Sequence, residues 1–218
     1  MSAGNVTAGL PVEALDPRAR EVLDFWFGAP GSAERGRERK QWFRKREAFD
    51  AQLRERFGAL LAAARAGELD AWCATPAGAL ALVIVLDQFS RNCLRGTPHA
   101  FAADAKALAI ARAMVASGAD LRLPDLYQRM FVYMPFEHAE SVAAQRESLR
   151  LFGALAQEAG EAGFEASFSA SFEAYHDYAR RHAQVIERFG RFPHRNEVLG
   201  RVSTEDELAF LREPGSRF

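Results

Sequence analysis

Residues 79–92 read A-L-A-L-V-I-V-L-D-Q-F-S-R-N. From Ala79 to Leu86 every residue is apolar. Such a run suits either a strand covered on both faces or a helix buried all round. Two features select the helix. Alanines are interleaved with the larger residues, and the flanking segments carry helical period. Pro76 stands where a proline suits the first helical position, so a helix is expected from Pro76 to at least Phe89. The run is the longest apolar one in the chain and is far too short to cross a membrane.

Helical signals continue on both sides. Asp16-Pro17 caps and opens a helix to about Phe27, and Gly28-Ala29-Pro30-Gly31 ends it. Residues 31–40 read as a mobile, charged loop. Phe49, Leu53, Phe57, Leu60 and Leu61 recur at three- and four-residue steps, predicting an amphipathic helix over 42–66 that stops at Gly67. A short helical turn is expected at 70–73. Pro98 opens a helix to Ala116, with Gly118 beyond its end. Pro124 opens another to Met134. Pro135 is read as breaking that helix and starting the next, which runs to about Ala159. Residues 160–163 read as a linker and 168–188 as a long helix ended by Gly190. Thr204 and Glu207 have capping-box spacing for a last short helix. No segment has strand period. The expectation is an all-α fold of antiparallel helix pairs: a flexible N-terminal tail at 1–14 and a single helical domain at 15–218.

Composition excludes several classes of function. The 218 residues are 49% hydrophobic and 26% charged, enough to bury a sizeable core. The net charge of −1 leaves no global basic field, so nucleic acid is not an expected partner. Only Lys40, Lys45 and Lys106 are lysines, and the other cations are arginines. A GC-rich genome is the plainer source of that bias and selection for bidentate anion contacts the other, so only local clustering of arginines counts. Cys73 and Cys93 are too few for a disulfide framework and read as small, partly buried hydrophobes in a reducing compartment. The N-terminus lacks a secretory pattern, so the expected location is the cytoplasm, without a membrane. Aromatics near Trp26 and Trp42 admit an oligomer contact, although the core is the simpler place for them.

Three polar constellations interrupt this pattern. The first is L-D-Q-F-S-R-N, residues 86–92. Asp87 and Arg91 at i,i+4 make an ordinary ion pair, worth roughly a few tenths of a kcal/mol on an exposed helix. Here they follow a helix expected to be buried, where charge needs partners. With Gln88 and Asn92 beside them, they read as the polar floor of a pocket. The second is M-P-F-E-H-A-E, residues 134–140. With Pro135 starting a helix, Glu137 and Glu140 occupy its first turn, where carboxylates suit the dipole. His138 is left either as a packed, hydrogen-bonded residue or as a general base oriented by another polar group.

The third is the long C-terminal helix with R-F-G-R-F-P-H-R-N, residues 188–196. Tyr175, Tyr178, His182 and Ile186 share one helical face, directing His182 to the core. Arg188, Arg191, His194, Arg195, Asn196 and Arg201 follow. Phe189 and Phe192 anchor the loop and turn its arginines elsewhere, which makes an anion site. In the plainer alternative, Arg191 and Arg195 bind helix carbonyls and Asp87 or Glu137. His138, Glu137, Glu140, His182 and His194 lack metal-ligand spacing, so no metal is expected. No phosphate loop follows a strand and no G-x-S-x-G elbow occurs.

In this order the segments resemble the bacterial "domain of unknown function 924" proteins. The resemblance rests on V-L-D-F-W-F-G at 22–28, W-F at 42–43, L-D-Q-F-S-R-N at 86–92 and F-A-A-D at 101–104. P-F-E-H-A-E at 135–140, Q-R at 145–146, R-F-G-R-F-P-H-R-N at 188–196 and L-G-R-V-S-T at 199–204 complete it. Ser90 stands where the family commonly has proline, and Ala139 where it commonly has serine. The missing serine argues against a hydroxyl nucleophile beside His138. The resemblance implies a compact tetratricopeptide-repeat-like superhelix, and no established activity or cofactor.

Three functions remain open. In the first, a concave groove between helix pairs binds a small anionic ligand or a peptide carboxylate. Gln88, Arg91, Asn92, His182, Arg188, Arg191, Arg195 and Asn196 would hold it. In the second, His138 or His194 is a general acid or base oriented by Glu137 or Asp87. The arginines then stabilise negative charge in the hydrolysis or isomerisation of an acidic or phosphorylated small molecule. In the third, the same groups are an ion-pair lock in a protein-interaction scaffold. The first two require the segments near 90, 138 and 192 to meet around a cationic hollow.

Overall fold

The computed structural model describes residues 15–161 and 166–217. The expected tail at 1–14 therefore lies outside the described residues. Those residues form nine α-helices joined by turns, with no strand among them. Helix α1, Pro17–Phe27, starts with Asp16 accepting from the Arg18 backbone N–H at 2.8 Å and ends at Gly28, whose φ is 91°. A helix end leaves its last carbonyls without partners. Here Arg39 Nη1 donates to the carbonyls of Phe25 and Trp26, and Arg35 Nη1 donates to that of Gly28. Trp42 Nε1 donates to the Trp26 carbonyl at 2.8 Å. The charged loop at 31–40 is thus tied across the end of α1.

Helix α2, Glu47–Ala66, begins later than its apolar period suggested, because Trp42 sits in a separate 3₁₀ turn at Lys40–Trp42. Trp42 packs on Trp26 and Phe131, with ring centroids 6.5 and 5.0 Å away. Both tryptophans are buried in the core. Of the two thiols, Cys93 is buried and Cys73 is exposed, so only Cys93 is the small hydrophobe expected.

The run that opened the sequence reading is helical. Helix α3, Pro76–Val83, is capped by Thr75 and continues into a π turn at Ile84–Phe89 and then α4, Ser90–Cys93. Residues 78–90 are all buried. Leu80, Leu82, Ile84 and Leu86 are wholly excluded from solvent, each gaining about 1.5–3 kcal/mol by burial. A Cβ added at Gly78 would lie 2.2 Å from the Trp72 carbonyl oxygen, so this helix start approaches the preceding turn only as glycine. The π turn inserts one residue into the helical repeat and turns the following side chains round the axis. Helix α5, Asp104–Ser117, also starts late, after a separate 3₁₀ turn at Pro98–Ala100.

The main departure from the sequence reading is α6, Leu126–Glu137. Pro135 lies inside it and does not break it. In the last turn a proline forfeits only a bond near the helix end, and the His138 backbone N–H still donates to the Met134 carbonyl at 2.9 Å. Glu137 and His138 therefore close a helix, and Glu140 falls in the turn that follows. The dipole account of these glutamates fails with that reversal. All 12 residues of α6 are buried, so it is a second central helix, packed against the π turn.

Helix α7, Val142–Glu161, packs on α6, and α8, Ala166–Phe189, packs along α7. The linker expected at 160–163 is helical as far as Glu161, and 162–163 lie outside the described residues. Helix α9, Glu205–Phe210, begins with the Thr204–Glu207 capping box. The architecture is an all-α superhelix of packed consecutive helices.

Candidate functional site

The π turn, the end of α6, the middle of α8 and the loop after it surround a cavity of about 800 Å³. That is within the roughly 300–1,000 Å³ usual for small-molecule sites. Its floor is polar. Asp87 is 1% exposed, and its Oδ1 is 2.8 Å from His138 Nδ1 and 3.0 Å from Arg91 Nη1. Gln88 Nε2 donates to the other oxygen at 2.6 Å. Burial alone would raise the Asp87 carboxyl. The Arg91 guanidinium and His138 outweigh it and hold the group well below the usual carboxylate range. An ionised carboxylate only accepts, so His138 donates from Nδ1 and keeps Nε2 as a lone pair. Burial, then the charge of Arg91, lower the His138 pKa, against the opposing effect of Asp87.

Beside this pair is Glu137, 2% exposed, whose Oε1 accepts no hydrogen bond. The nearest charged partner is His182 Nδ1 at 3.3 Å, which also faces the Tyr178 carbonyl at 3.0 Å. Burial and then the negative charge of Asp87 push the Glu137 carboxyl up to about 8, against the pull of Arg181 and Arg91. Burial also holds His182 well below the ordinary histidine value. His194 is pushed down to about 4 by burial and by Arg195. Near neutral pH the floor therefore holds uncharged histidines and an uncharged Glu137 over an ionised Asp87.

Arginines complete the inner wall. Arg91 makes a bidentate pair with Asp104, both bonds 2.9 Å. Arg195 lies between Phe101 and Phe192, its guanidinium carbon 4.7 and 4.5 Å from the ring centroids. Its Nη1 reaches Asp104 at 3.5 Å, while its buried Nε finds no acceptor. Two carboxylates, Asp87 and Asp104, thus offset two inner arginines. The rim differs. Arg44, Lys45 and Arg181 line it, are exposed, and make no ion pair among the described residues. Trp42, Phe43, Met130, Met134, Tyr175 and Tyr178 supply apolar wall.

Residues 22–215 match the family model described as bacterial protein of unknown function, DUF924. The chain belongs to the DUF924 family. It is also similar to a solved structure, the protein of unknown function ATU0120 from Agrobacterium tumefaciens. Identity is 35%, the match covers 89% of this chain and 97% of that one, and the TM-score is 0.72. None of the curated proteins matches the chain.

In this DUF924 protein the structure brings together most of the residues that the sequence singled out. Gln88, Arg91, Asn92, Glu137, His138, His182, His194 and Arg195 all line the cavity, and Asp87 lies directly behind His138. Three of the expected ligand-binding residues do not line it. Arg191 turns away to Glu207, at 2.6 and 2.8 Å, and to the Val202 carbonyl. Asn196 donates to Ser203 and Glu207. Arg188 is exposed, over Phe189 and Phe210. Phe192, between Arg191 and Asn196, is fully buried. Together with Arg201–Glu140, these contacts hold the loop to α9 and to the turn after α6.

The sequence reading missed the rim. The run W-F-R-K-R at 42–46 has the same mixture of aromatic and basic residues as the 188–196 loop, and that mixture was the available signal. Arg181 carries no local signal, since it is one of several arginines on a half-exposed helix. Among the described residues, no three His, Cys, Asp or Glu side chains converge as a metal site.

Proposed function

We propose that this DUF924 protein binds a small anionic molecule with an apolar body in the cavity. The observation that carries the reading is the rim. Arg44, Lys45 and Arg181 have no ion-pair partner among the described residues. Among the described residues, Glu137 is the only carboxylate lining the cavity, and it is uncharged near neutrality. Unpaired cations over a concave, partly apolar surface raise the local concentration of anions. The inner arginines, already offset by Asp87 and Asp104, polarise the floor rather than adding net charge. Aromatic walls suit a ring or chain attached to the anionic group. A peptide's terminal carboxylate offers the same head group, but the cavity size favours a small molecule. The free thiols Cys73 and Cys93 support a reducing compartment, which we take to be the cytoplasm.

Thermal unfolding with added phenylacetate tests this reading. A ligand that binds only the folded state raises the melting temperature by mass action. Phenylacetate is expected to do so, and the uncharged phenylacetamide is not. Equal effects of the two, or none from phenylacetate, would remove the anion reading.

A further inference from the structure

We propose that the cavity floor is an acid–base centre, with His138 as general base and Glu137 as general acid in a proton shift within one bound carbonyl acid. This rests on the anion-binding reading and extends it from binding to turnover. Three independent features lead there. First, Asp87 fixes His138 through Nδ1 at 2.8 Å, which leaves Nε2 as the ring nitrogen available to the cavity. An oriented imidazole with a free lone pair is the arrangement a general base requires. Second, Glu137 is buried, lines the same cavity and leaves Oε1 without a hydrogen bond. A buried carboxyl oxygen without a protein donor costs stability, and a catalytic role is one reason to keep it. Third, the floor is built on a π turn, a feature frequently found at functional sites.

The groups facing His138 come from every element packed around it. They are Asp87 and Arg91 from the π turn and α4, Asp104 from α5, His182 from α8 and His194 from the loop, with Glu137 next to it in the chain. Two adjacent residues, 137 and 138, thus hold opposite proton inventories on one wall: a carboxyl carrying its proton and an imidazole able to take one. Such a pair divides the acid and base roles between its members.

The rim cations hold the non-reacting anionic group, and binding there positions the rest of the molecule over the floor. His138 Nε2 removes a proton from the carbon next to a carbonyl. The C–H electron pair becomes a C=C bond, and the carbonyl π pair moves to oxygen. That oxygen takes the proton of Glu137. His138 is left as imidazolium and Glu137 as carboxylate, and proton exchange with water restores both. Atoms and electrons balance within one substrate, and no oxidant or second reactant enters. The substrate class is a 2-oxo acid or a similar carbonyl acid with an apolar body.

Phenylpyruvate is a probe of this class, because its keto–enol conversion is followed by ultraviolet absorbance while its binding is measured by calorimetry. The wild type is expected to bind it and to accelerate enolisation. His138→Gln is expected to lower that rate by about 100-fold or more, the usual scale of general-base catalysis, with the affinity within about threefold. Asp87→Asn should lower the rate in the same direction, and His138→Gln decides alone if Asp87→Asn does not fold. Binding without acceleration, or full acceleration by His138→Gln, overturns the acid–base centre and leaves the anion reading standing. Failure of phenylpyruvate to bind overturns the acid–base centre, and failure of phenylacetate as well overturns the anion reading.

Discussion

His138 Nδ1 lies 2.8 Å from Asp87 Oδ1, although the two residues are 51 positions apart in sequence and belong to different central helices. The contact joins the π turn to the end of α6 and is almost fully buried on the Asp87 side. Removing one partner of a buried pair strands the other. Asp87→Asn is expected to cost about 3 kcal/mol of stability, read by urea unfolding. It should also release the imidazole proton from Nδ1, seen as a change of tautomer in ¹⁵N spectra of His138. A cost below about 0.5 kcal/mol with an unchanged tautomer contradicts the pairing.

Glu137 sets a pH dependence of opposite sign to that of a salt-bridged carboxylate. In the folded chain burial pushes its carboxyl up to about 8, above the ordinary glutamate value of 4.5. Between those two values the folded chain keeps a proton that the unfolded chain has lost. Stability therefore falls as pH rises through this window. In Glu137→Gln that loss is absent. Relative to wild type, the variant should gain stability from pH 5 to pH 8, by on the order of a few kcal/mol. Chemical denaturation at several pH values measures it, and parallel curves would rule out a raised Glu137.

Arg44, Lys45 and Arg181 are exposed and make no ion pair among the described residues, so each should be dispensable for folding. Replacing any one by Ala is expected to shift stability by less than about 0.5 kcal/mol. The same change should weaken phenylacetate binding about fivefold, or ~1 kcal/mol. Raising the ionic strength should shrink that difference, because exposed charges are screened. Calorimetry at low and high salt reads both effects.

Arg191 is the opposite case. It clamps Glu207 and the Val202 carbonyl and is not among the residues lining the cavity. Arg191→Ala should lower the unfolding midpoint and leave anion affinity unchanged. A loss of affinity with an unchanged midpoint would return it to the site.

At Gly78 an alanine has no room, since its Cβ would meet the Trp72 carbonyl 2.2 Å away. Overpacking of this kind costs about 1–3 kcal/mol. The gain in helix propensity, up to about 1 kcal/mol, offsets part of it. Gly78→Ala is thus expected to unfold at lower denaturant, whereas Gly58→Ala, with open space around its Cβ and no positive φ, should be stabilised.

Much of the helical plan was legible in the residues because its signals are local. Asp16-Pro17, Pro76 and Thr204 with Glu207 mark helix starts that the structure reproduces. The apolar stretch at 79–86 was readable as a buried helix through its alanines and neighbours. Pro135 misled for a physical reason. A proline removes one backbone bond from a helix, but here it lies in the final turn, the His138 N–H still closes on the Met134 carbonyl, and burial of the whole helix outweighs the loss. The start at Trp42 misled because an aromatic residue at helical spacing fits a 3₁₀ turn against the core equally well.

The sequence by itself determined which segments are helices, where several of them begin, and which polar clusters interrupt the apolar pattern. Those properties follow from bonds and side chains within a few residues of one another. Only the tertiary structure decided that Asp87 meets His138 and that Glu137 loses its water. It alone placed Arg44, Lys45 and Arg181 together on one rim, and sent Arg188, Arg191 and Asn196 elsewhere. Pairing, desolvation and convergence depend on how distant helices pack, and no spacing within a segment encodes them.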